Sequence, residues 1–170
     1  MSVDINRHHL SKVGLFQGMS NRQIDMLAGK MRGQNYGKDE IIIREGEVGG
    51  ELFILLKGTI EISKQLTLAG VGGGDQRDKN VFRICDDSNE FFGEMSMFGS
   101  EERSATVRAI TDTKLGMLTQ DQVQVLAKED PSLGYLLYYN IGHKIAENMR
   151  RANQDILKLT TAFVLALEGR

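Results

Sequence analysis

The spacing of apolar positions changes twice along the chain. Near the start, Ile24, Leu27 and Met31 recur at helical intervals. Between about residues 40 and 118 the pattern becomes short β-branched or alternating runs bounded by glycine, which is typical of a small antiparallel barrel or sandwich. From about residue 119 the helical spacing returns and glycines become rare. The sequence therefore predicts a mainly β domain with helices at both ends.

Seven short segments in the middle of the chain are predicted to be strands. Each holds a β-branched, aromatic or alternating run, and they cover residues 41–43, 52–56, 59–63, 81–85, 91–92, 105–110 and 115–118. Residues 65–80 separate two of these strands and contain four glycines, so they are predicted to form a long hairpin loop. A phosphate-binding P-loop is disfavoured there, because no Gly-Lys-Ser/Thr sequence and no helix signal follow.

A long helix is predicted at the C-terminal end. Asp130 suits the N-cap position and Pro131 suits the first helical position. Apolar residues then recur every three or four positions without a proline, at Leu133, Leu137, Ile141, Ile145, Met149, Ala152, Ile156, Leu159, Phe163 and Leu167. A continuous helix over roughly 35 residues is about 52 Å long. Because a compact barrel cannot cover that length, part of the stripe is expected to pack against a second copy. The alternative is a helix that breaks near Gly142 and folds back on its own domain.

Composition and charge narrow the possible function classes. The 170 residues include 21 Lys and Arg against 23 Asp and Glu, and the net charge of −2 excludes a strongly basic nucleic-acid binder. Cys85 is the only cysteine, which excludes an internal disulfide and a multi-cysteine metal site and indicates a reducing cytoplasm. No apolar run approaches the ~20 residues of a membrane span, and the first ten residues do not resemble a signal peptide. Common catalytic motifs such as Gly-x-Ser-x-Gly are absent, so an enzyme is not expected.

One segment, residues 91–109, carries candidate binding chemistry. Gly93 permits a ligand to approach the backbone closely, and the residues from Glu94 onward can form a helical turn whose free N–H groups face an anion. Arg103 adds a guanidinium suited to phosphate oxygens, with the Ser104 hydroxyl beside it. A carboxylate at Glu94 repels a bare phosphate but accepts a hydrogen bond from a sugar hydroxyl. Together these residues indicate a sugar-phosphate site.

This segment resembles the phosphate-binding cassette of the cyclic nucleotide-binding domain family. The family pattern of Phe-Gly-Glu, a short turn and then Arg-small-Ala-Thr occurs here as residues 92–96 (Phe-Gly-Glu-Met-Ser) and 103–106 (Arg-Ser-Ala-Thr). Glycine-marked early strands similar to those of the family extend the resemblance from about residue 10 to about residue 150. The resemblance implies a mainly β fold with flanking helices. Its centre is the cyclic nucleotide-binding β-roll (a double-stranded β-helix or jelly roll), and a long C-terminal helix follows.

The resemblance also implies roles for individual residues. Glu94 would accept the ribose 2′-hydroxyl, Arg103 would pair with the cyclic phosphate, and Gly93 and Ser104 would add backbone N–H and hydroxyl contacts. The implied ligand set also includes Phe92, Met95, Ser96 and Ala105. On the long helix Asn148 would contact the purine, adenine or guanine, because its amide both donates and accepts. The alternative for Asn148 is a polar residue that fixes the register of a helix pair.

The sequence departs from the family pattern in two turns and at its end. One turn usually holds Gly-Asp, and there Asn89 is expected to take the left-handed conformation instead. The glycine usual near Asp39 is also absent. Transcription factors of the family add a helix-turn-helix after the long helix, and no such pattern follows here. DNA binding by this chain alone is therefore not expected.

These observations predict two parts. Residues 1–130 are expected to form the N-terminal helices and the β-roll, and residues 131–170 the long C-terminal helix, which serves for dimerisation or as a lid. The expected function is a cytoplasmic cyclic nucleotide sensor that binds cAMP or cGMP. Ligand binding would be relayed through the helix of a homodimer to a downstream protein partner, with no membrane association. No metal and no cofactor besides the ligand are implied. The alternative is a degenerate, ligand-free fold that acts as a dimeric protein-interaction module.

Overall fold

A computed structural model of the chain describes residues 7–64, 81–99 and 102–168. The hairpin loop predicted at residues 65–80 lies outside the described residues. The helices are α1 (Arg7–Leu10), α2 (Asn21–Lys30), α3 (Gln120–Glu129) and α4 (Pro131–Glu168), with 3-10 turns at Gly14–Phe16, Asp86–Ser88 and Glu94–Met97. The strands are β1 (Arg32–Tyr36), β2 (Ile41–Ile43), β3 (Glu51–Lys57), β4 (Thr59–Ser63), β5 (Val81–Cys85), β6 (Phe91–Phe92), β7 (Thr106–Ala109) and β8 (Thr113–Thr119).

The strands form two antiparallel four-stranded sheets in the orders β1-β8-β3-β6 and β2-β7-β4-β5. Strand β3 is buried on both faces. Leu52 and Ile54 contribute to the core under the helices, whereas Phe53 and Leu55 contribute to the core between the sheets. This double burial explains why the apolar run of β3 does not alternate with polar residues. The observed architecture is mainly β with flanking helices, as the sequence predicts.

Strand β1 is the element that the sequence analysis missed. The apolar pattern of the first forty residues predicts only short helices, but Arg32–Tyr36 pairs in antiparallel register with β8, from Arg32 opposite Met117 to Tyr36 opposite Thr113. The strand contains glycine and three polar residues, and it lies at the edge of its sheet with no fully buried side chain. An edge strand of this kind is held by backbone hydrogen bonds, so it leaves no hydrophobic pattern in the sequence.

Helix α4 is continuous from Pro131 to Glu168, as predicted, and the alternative of a helix that breaks near Gly142 is wrong. Its 38 residues span about 57 Å. The first part is buried against the domain through Leu133, Leu137 and Ile141, whereas every described side chain from residue 149 onward is exposed. None of the helices in the described part of the chain combines the length and the apolar character that crossing a membrane requires.

Of the residues that the structure describes, two that are not glycine, Asp39 and Asn89, have a positive φ. Asn89 has a left-handed backbone with φ of 53°, as predicted, and Asp39 does the same at φ 69°. Both therefore take conformations in which glycine is the usual residue. The position of Cys85 in an apolar strand-like run predicts a small buried residue, and this prediction is wrong, because Cys85 is exposed. It is the last residue of a strand that pairs on one side with β4.

Candidate functional site

Gly93 directly follows β6 in the cassette, and its backbone is left-handed with φ of 78°. The 3-10 turn Glu94–Met97 follows directly. A Cβ atom at position 93 would lie 2.8 Å from the Glu51 carbonyl oxygen and 3.1 Å from Arg103 Nη1. Both the backbone conformation and the space therefore require glycine. This close approach brings the start of the turn against β3 and against the arginine.

Arg103 is the most constrained charged residue of the cassette, with a side chain that is only 9% exposed. Its Nη1 donates to the Glu51 carbonyl oxygen at 2.9 Å and to Ser96 Oγ at 3.3 Å. Its Nη2 donates to Glu51 Oε2 at 2.7 Å. The guanidinium also lies over the Phe53 ring, 5.8 Å from its centroid. Charge-assisted hydrogen bonds on two sides and a ring beneath fix the direction of the guanidinium plane.

Ser96 is buried beneath the turn and ties it together. Its Oγ donates to the Gly93 carbonyl oxygen at 2.7 Å, lies 3.1 Å from the Glu51 carbonyl oxygen and accepts from Arg103. A serine hydroxyl has one hydrogen to donate, and here the Gly93 carbonyl oxygen accepts it, so no hydrogen is left for another acceptor. Ser96 therefore holds the turn and the arginine in one geometry.

One pocket lies at the centre of the cassette, and it gathers most of the predicted ligand set. It is lined by Gly93, Glu94, Met95, Ser96, Glu102, Arg103 and Ser104. The carboxylate and the guanidinium that were expected to bind opposite ends of a sugar phosphate thus share one pocket. Three residues of the predicted set, Phe92, Ala105 and Asn148 of helix α4, are not part of its lining. Phe92 is buried and stacks on Phe53 with ring centroids 5.3 Å apart, and Ala105 follows the pocket-lining Ser104.

Two residues of the cassette floor escaped the sequence analysis. Glu51 begins β3 and is the carboxylate partner of Arg103. Gly49 packs against that guanidinium so closely that a Cβ there would lie 2.7 Å from Arg103 Nη2. The available signal was a glycine pair followed by a carboxylate at the start of a buried strand, a pattern that by itself indicates only a turn.

Burial raises the pKa of the Tyr36 phenol, and the nearby carboxylates of Glu40 and Glu51 raise it further, so this phenol stays neutral.

Helix α4 reaches the cassette through side chains of its middle turns. Asn148 Nδ2 donates to Glu94 Oε1 at 3.1 Å. Lys144 forms an ion pair with Glu90 and lies 5.7 Å from the centroid of the Phe91 ring. The rings of Phe98 and Tyr138 are 5.9 Å apart. The side chains of Met95 and Phe98 are exposed and do not belong to the core. Within the described residues no group of three or more His, Cys, Asp or Glu is placed to hold a metal ion.

Comparison with known proteins gives a consistent result. The family model described as "Cyclic nucleotide-binding domain" matches residues 33–130, more than half of the chain. The chain is 24% identical over 150 residues to the CRP-like cAMP-activated global transcriptional regulator of Mycobacterium tuberculosis, covering 88% of this chain and 61% of the regulator. It is 28% identical over 156 residues to the human cyclic nucleotide-gated channel beta-1, covering 90% of this chain and 11% of the channel.

A solved cyclic nucleotide-binding domain from Methylobacillus flagellatus superposes with a TM-score of 0.72 at 23% identity. The match covers 88% of this chain and 79% of that one. At this identity the likeness concerns the fold. The chain spans less than two thirds of the length of the curated relatives described above.

Proposed function

The chain belongs to the cyclic nucleotide-binding domain family, and on this premise we propose that its cassette pocket binds a cyclic nucleotide, cAMP or cGMP. The observation that carries the proposal is the position of Glu94 and Arg103. Nine positions apart in the sequence, they line the same pocket, one as a fixed acceptor and the other as a fixed cation. A ribose cyclic phosphate presents a hydroxyl donor and an anionic phosphate on one rigid ring, which matches that pair of groups.

The phosphate would bind at Arg103. Three of the five guanidinium N–H groups donate to Glu51 and Ser96, and a phosphate would use the others. The first N–H groups of the turn, at Glu94 and Met95, have no acceptor within the turn and would add backbone donors. Ser104 lies in the same pocket lining and would add its hydroxyl.

The ribose would bind at Glu94, whose carboxylate only accepts hydrogen bonds when ionised. A 2′-hydroxyl donating to this carboxylate would form a charge-assisted bond. The purine would then lie toward α4, where Asn148 remains our candidate for the base contact. Its amide already donates to Glu94, so a base contact by Asn148 requires that bond to change.

We propose that α4 transmits ligand binding, because Asn148 contacts the cassette residue Glu94 and Lys144 contacts Glu90, which precedes β6. A ligand can shift the position of the helix only if it binds one helix arrangement better than the other. Contacts between α4 and the phosphate-binding turn provide that differential interaction.

A second copy of the chain is the proposed partner of the distal part of α4. The residues that begin the predicted stripe, Leu133, Leu137 and Ile141, are buried in their own domain and cannot serve a dimer. A different heptad track remains exposed or half-buried along the helix. We call it the seam, and its residues are Tyr135, Tyr139, Gly142, Ala146, Met149, Asn153, Ile156, Thr160, Phe163 and Leu167. Alternating steps of four and three residues are the repeat of a left-handed coiled coil.

Two features of the seam suit burial between helices. Thr160 Oγ1 donates to the Ile156 carbonyl oxygen at 2.8 Å, so its hydroxyl is satisfied within the helix. Asn153 is the one strongly polar side chain in the seam, and a single asparagine at such a position fixes the register of two helices. The homodimer would place two sensing pockets on one pair of helices.

The chain is a binding domain, and we propose that it acts as a regulatory sensor rather than an enzyme. The ligand would be its only small-molecule requirement, without a metal or a resident cofactor. A net charge of −2 supports a role without DNA binding by this chain alone. The output would pass to a downstream protein in the cytoplasm, with no membrane association.

The proposal is tested by isothermal titration calorimetry of the purified chain with cAMP and with cGMP. We expect saturable binding of at least one of them at one site per chain, and competition between the two if both bind. AMP is the matched control ligand, because it has the same base and ribose but an acyclic phosphate. A folded protein that binds neither cyclic nucleotide at millimolar concentration contradicts the proposal.

A ligand-free interaction module is the second candidate. The observation that favours it is the internal neutralisation of Arg103 by Glu51, which satisfies the guanidinium without any ligand. This candidate predicts no heat in the same titrations, together with self-association through the seam.

A further inference from the structure

Helix α4 makes two polar contacts near the cassette, and they differ in whether their carboxylate belongs to the pocket. The ion pair between Lys144 and Glu90 uses a carboxylate that precedes β6 and is not part of the pocket lining. The bond from Asn148 Nδ2 to Glu94 Oε1, at 3.1 Å, uses a carboxylate that belongs to the pocket. Only the second contact therefore involves a group that the proposed ligand needs.

The donor at this bond resembles the ligand group that would replace it. An asparagine N–H and a ribose hydroxyl are both neutral donors, and both favour an ionised carboxylate as acceptor. Glu94 and Asn148 are each half-buried, so water competes only partly for the carboxylate. The helix amide thus lies at the sugar end of the pocket, where it satisfies the carboxylate when no ligand is present.

Building on the proposed function, we propose that Asn148 is an internal competitor of the ligand: it holds α4 over the empty pocket by donating to Glu94, and the ribose hydroxyl displaces it. The ligand must break this hydrogen bond in order to form its own. The apparent affinity is then the intrinsic affinity multiplied by the fraction of molecules in the open arrangement, in which Asn148 does not donate to Glu94.

The location of Asn148 gives this exchange a structural consequence. Lys144 and Glu90 keep the preceding turn of α4 in place, because their ion pair does not depend on the pocket. The exposed part of the helix starts at Met149, the residue directly after Asn148. Release of Asn148 therefore frees the helix at the boundary between its buried part and its exposed part, while Lys144 acts as the retained anchor.

The test is the affinity of wild type, Asn148→Ala and Asn148→Leu for cAMP and cGMP, measured by calorimetry on the full chain. Both variants remove the donor, and the leucine keeps the branched shape of the side chain at Cγ. Loss of a competing hydrogen bond to a charged acceptor should tighten binding by about 3- to 10-fold. Gln154→Ala is the matched control, since it removes an exposed amide from the same helix away from the cassette, and its affinity should equal that of wild type.

Each outcome is informative. Tighter binding by both Asn148 variants supports the competitor role, as does binding by the variants when the wild type shows none. Wild-type binding with equal or weaker binding by the variants overturns it and leaves the proposed function intact, with weaker binding indicating a base contact. No binding by any of the proteins overturns both the proposed function and this inference.

Discussion

Arg103 and Glu51 form an ion pair inside the cassette, with 2.7 Å between Nη2 and Oε2. The arginine side chain is 9% exposed and the glutamate side chain 37%, so the pair lies at the edge of the interior. A buried guanidinium is costly unless it is paired, and Glu51 removes that cost before any ligand arrives. A phosphate at this site must therefore share Arg103 with a carboxylate, which makes the arginine a positioned but partly neutralised cation.

Replacing Arg103 with alanine should weaken cyclic nucleotide binding by about one to two decades. The reason is the loss of a charge-assisted phosphate contact, a change of roughly 1.5–3 kcal/mol. Calorimetric titration measures the effect, and Arg108→Ala is the matched control because Arg108 is an exposed arginine on the following strand β7. Wild-type affinity in Arg103→Ala would mean that the phosphate binds elsewhere.

Replacing Glu51 with glutamine should strengthen binding. The glutamine oxygen can still accept the hydrogen bond from Arg103, while one negative charge next to the phosphate site disappears. We expect a gain of roughly 3- to 10-fold, which ionic strength should reduce. Glu61→Gln is the control, because that carboxylate pairs with Arg83 and does not line the pocket. A loss of affinity in Glu51→Gln would show instead that the carboxylate is needed to orient the guanidinium.

The sequence was sufficient for most of the fold because the buried elements carry periodic apolar patterns and the capping boxes of α2 and α3 mark helix starts. Strand β1 was missed because an exposed edge strand depends on its partner β8 for hydrogen bonds and has no apolar face of its own. In the site, Glu94 and Arg103 belong to one local motif and were found. Glu51 was missed because it lies 52 positions from Arg103 in the sequence, and only the folding of distant segments brings the two residues into contact.

The left-handed backbone of Gly93 predicts the effect of a side chain at this position on stability and on ligand binding. Gly93→Ala combines left-handed strain of about 1–2 kcal/mol with a clash against the Glu51 carbonyl oxygen, an overpacking cost of roughly 1–3 kcal/mol. Gly46→Ala is a matched control, since its φ is 82° but a Cβ there has nothing within 4 Å. Chemical denaturation should therefore show a larger loss of stability for Gly93→Ala than for Gly46→Ala, and only Gly93→Ala should impair ligand binding. Equal losses in the two variants would argue against the close approach to Glu51.

The N-cap of α4 gives a prediction for pH. Hydrogen bonds from the Leu133 N–H and the Ser132 hydroxyl lower the pKa of Asp130 below its usual value. A carboxyl whose pKa is lower in the folded state stabilises the fold above its unfolded pKa of about 4, and this contribution is lost as the pH falls through the folded value. The free energy of unfolding of Asp130→Asn should therefore fall below that of wild type at neutral pH and approach it in acid. Urea denaturation at a series of pH values measures this, and a constant difference at all pH values would contradict it.

The seam predicts which face of α4 mediates self-association. Phe163 and Leu165 are similarly exposed, at 65% and 63%, but two residues of helix separate their directions by about 200°. Only Phe163 belongs to the seam, so Phe163→Glu should place two carboxylates against each other in an apolar interface and weaken dimerisation by about 100-fold or more. Leu165→Glu adds the same charge to the opposite face, and its dimerisation should stay within about threefold of wild type. Sedimentation equilibrium at micromolar concentrations distinguishes the two variants, because glutamate is a good helix former and neither change should unfold the helix. A monomeric wild type, or an equal effect of both substitutions, would show that this track is not the dimer interface.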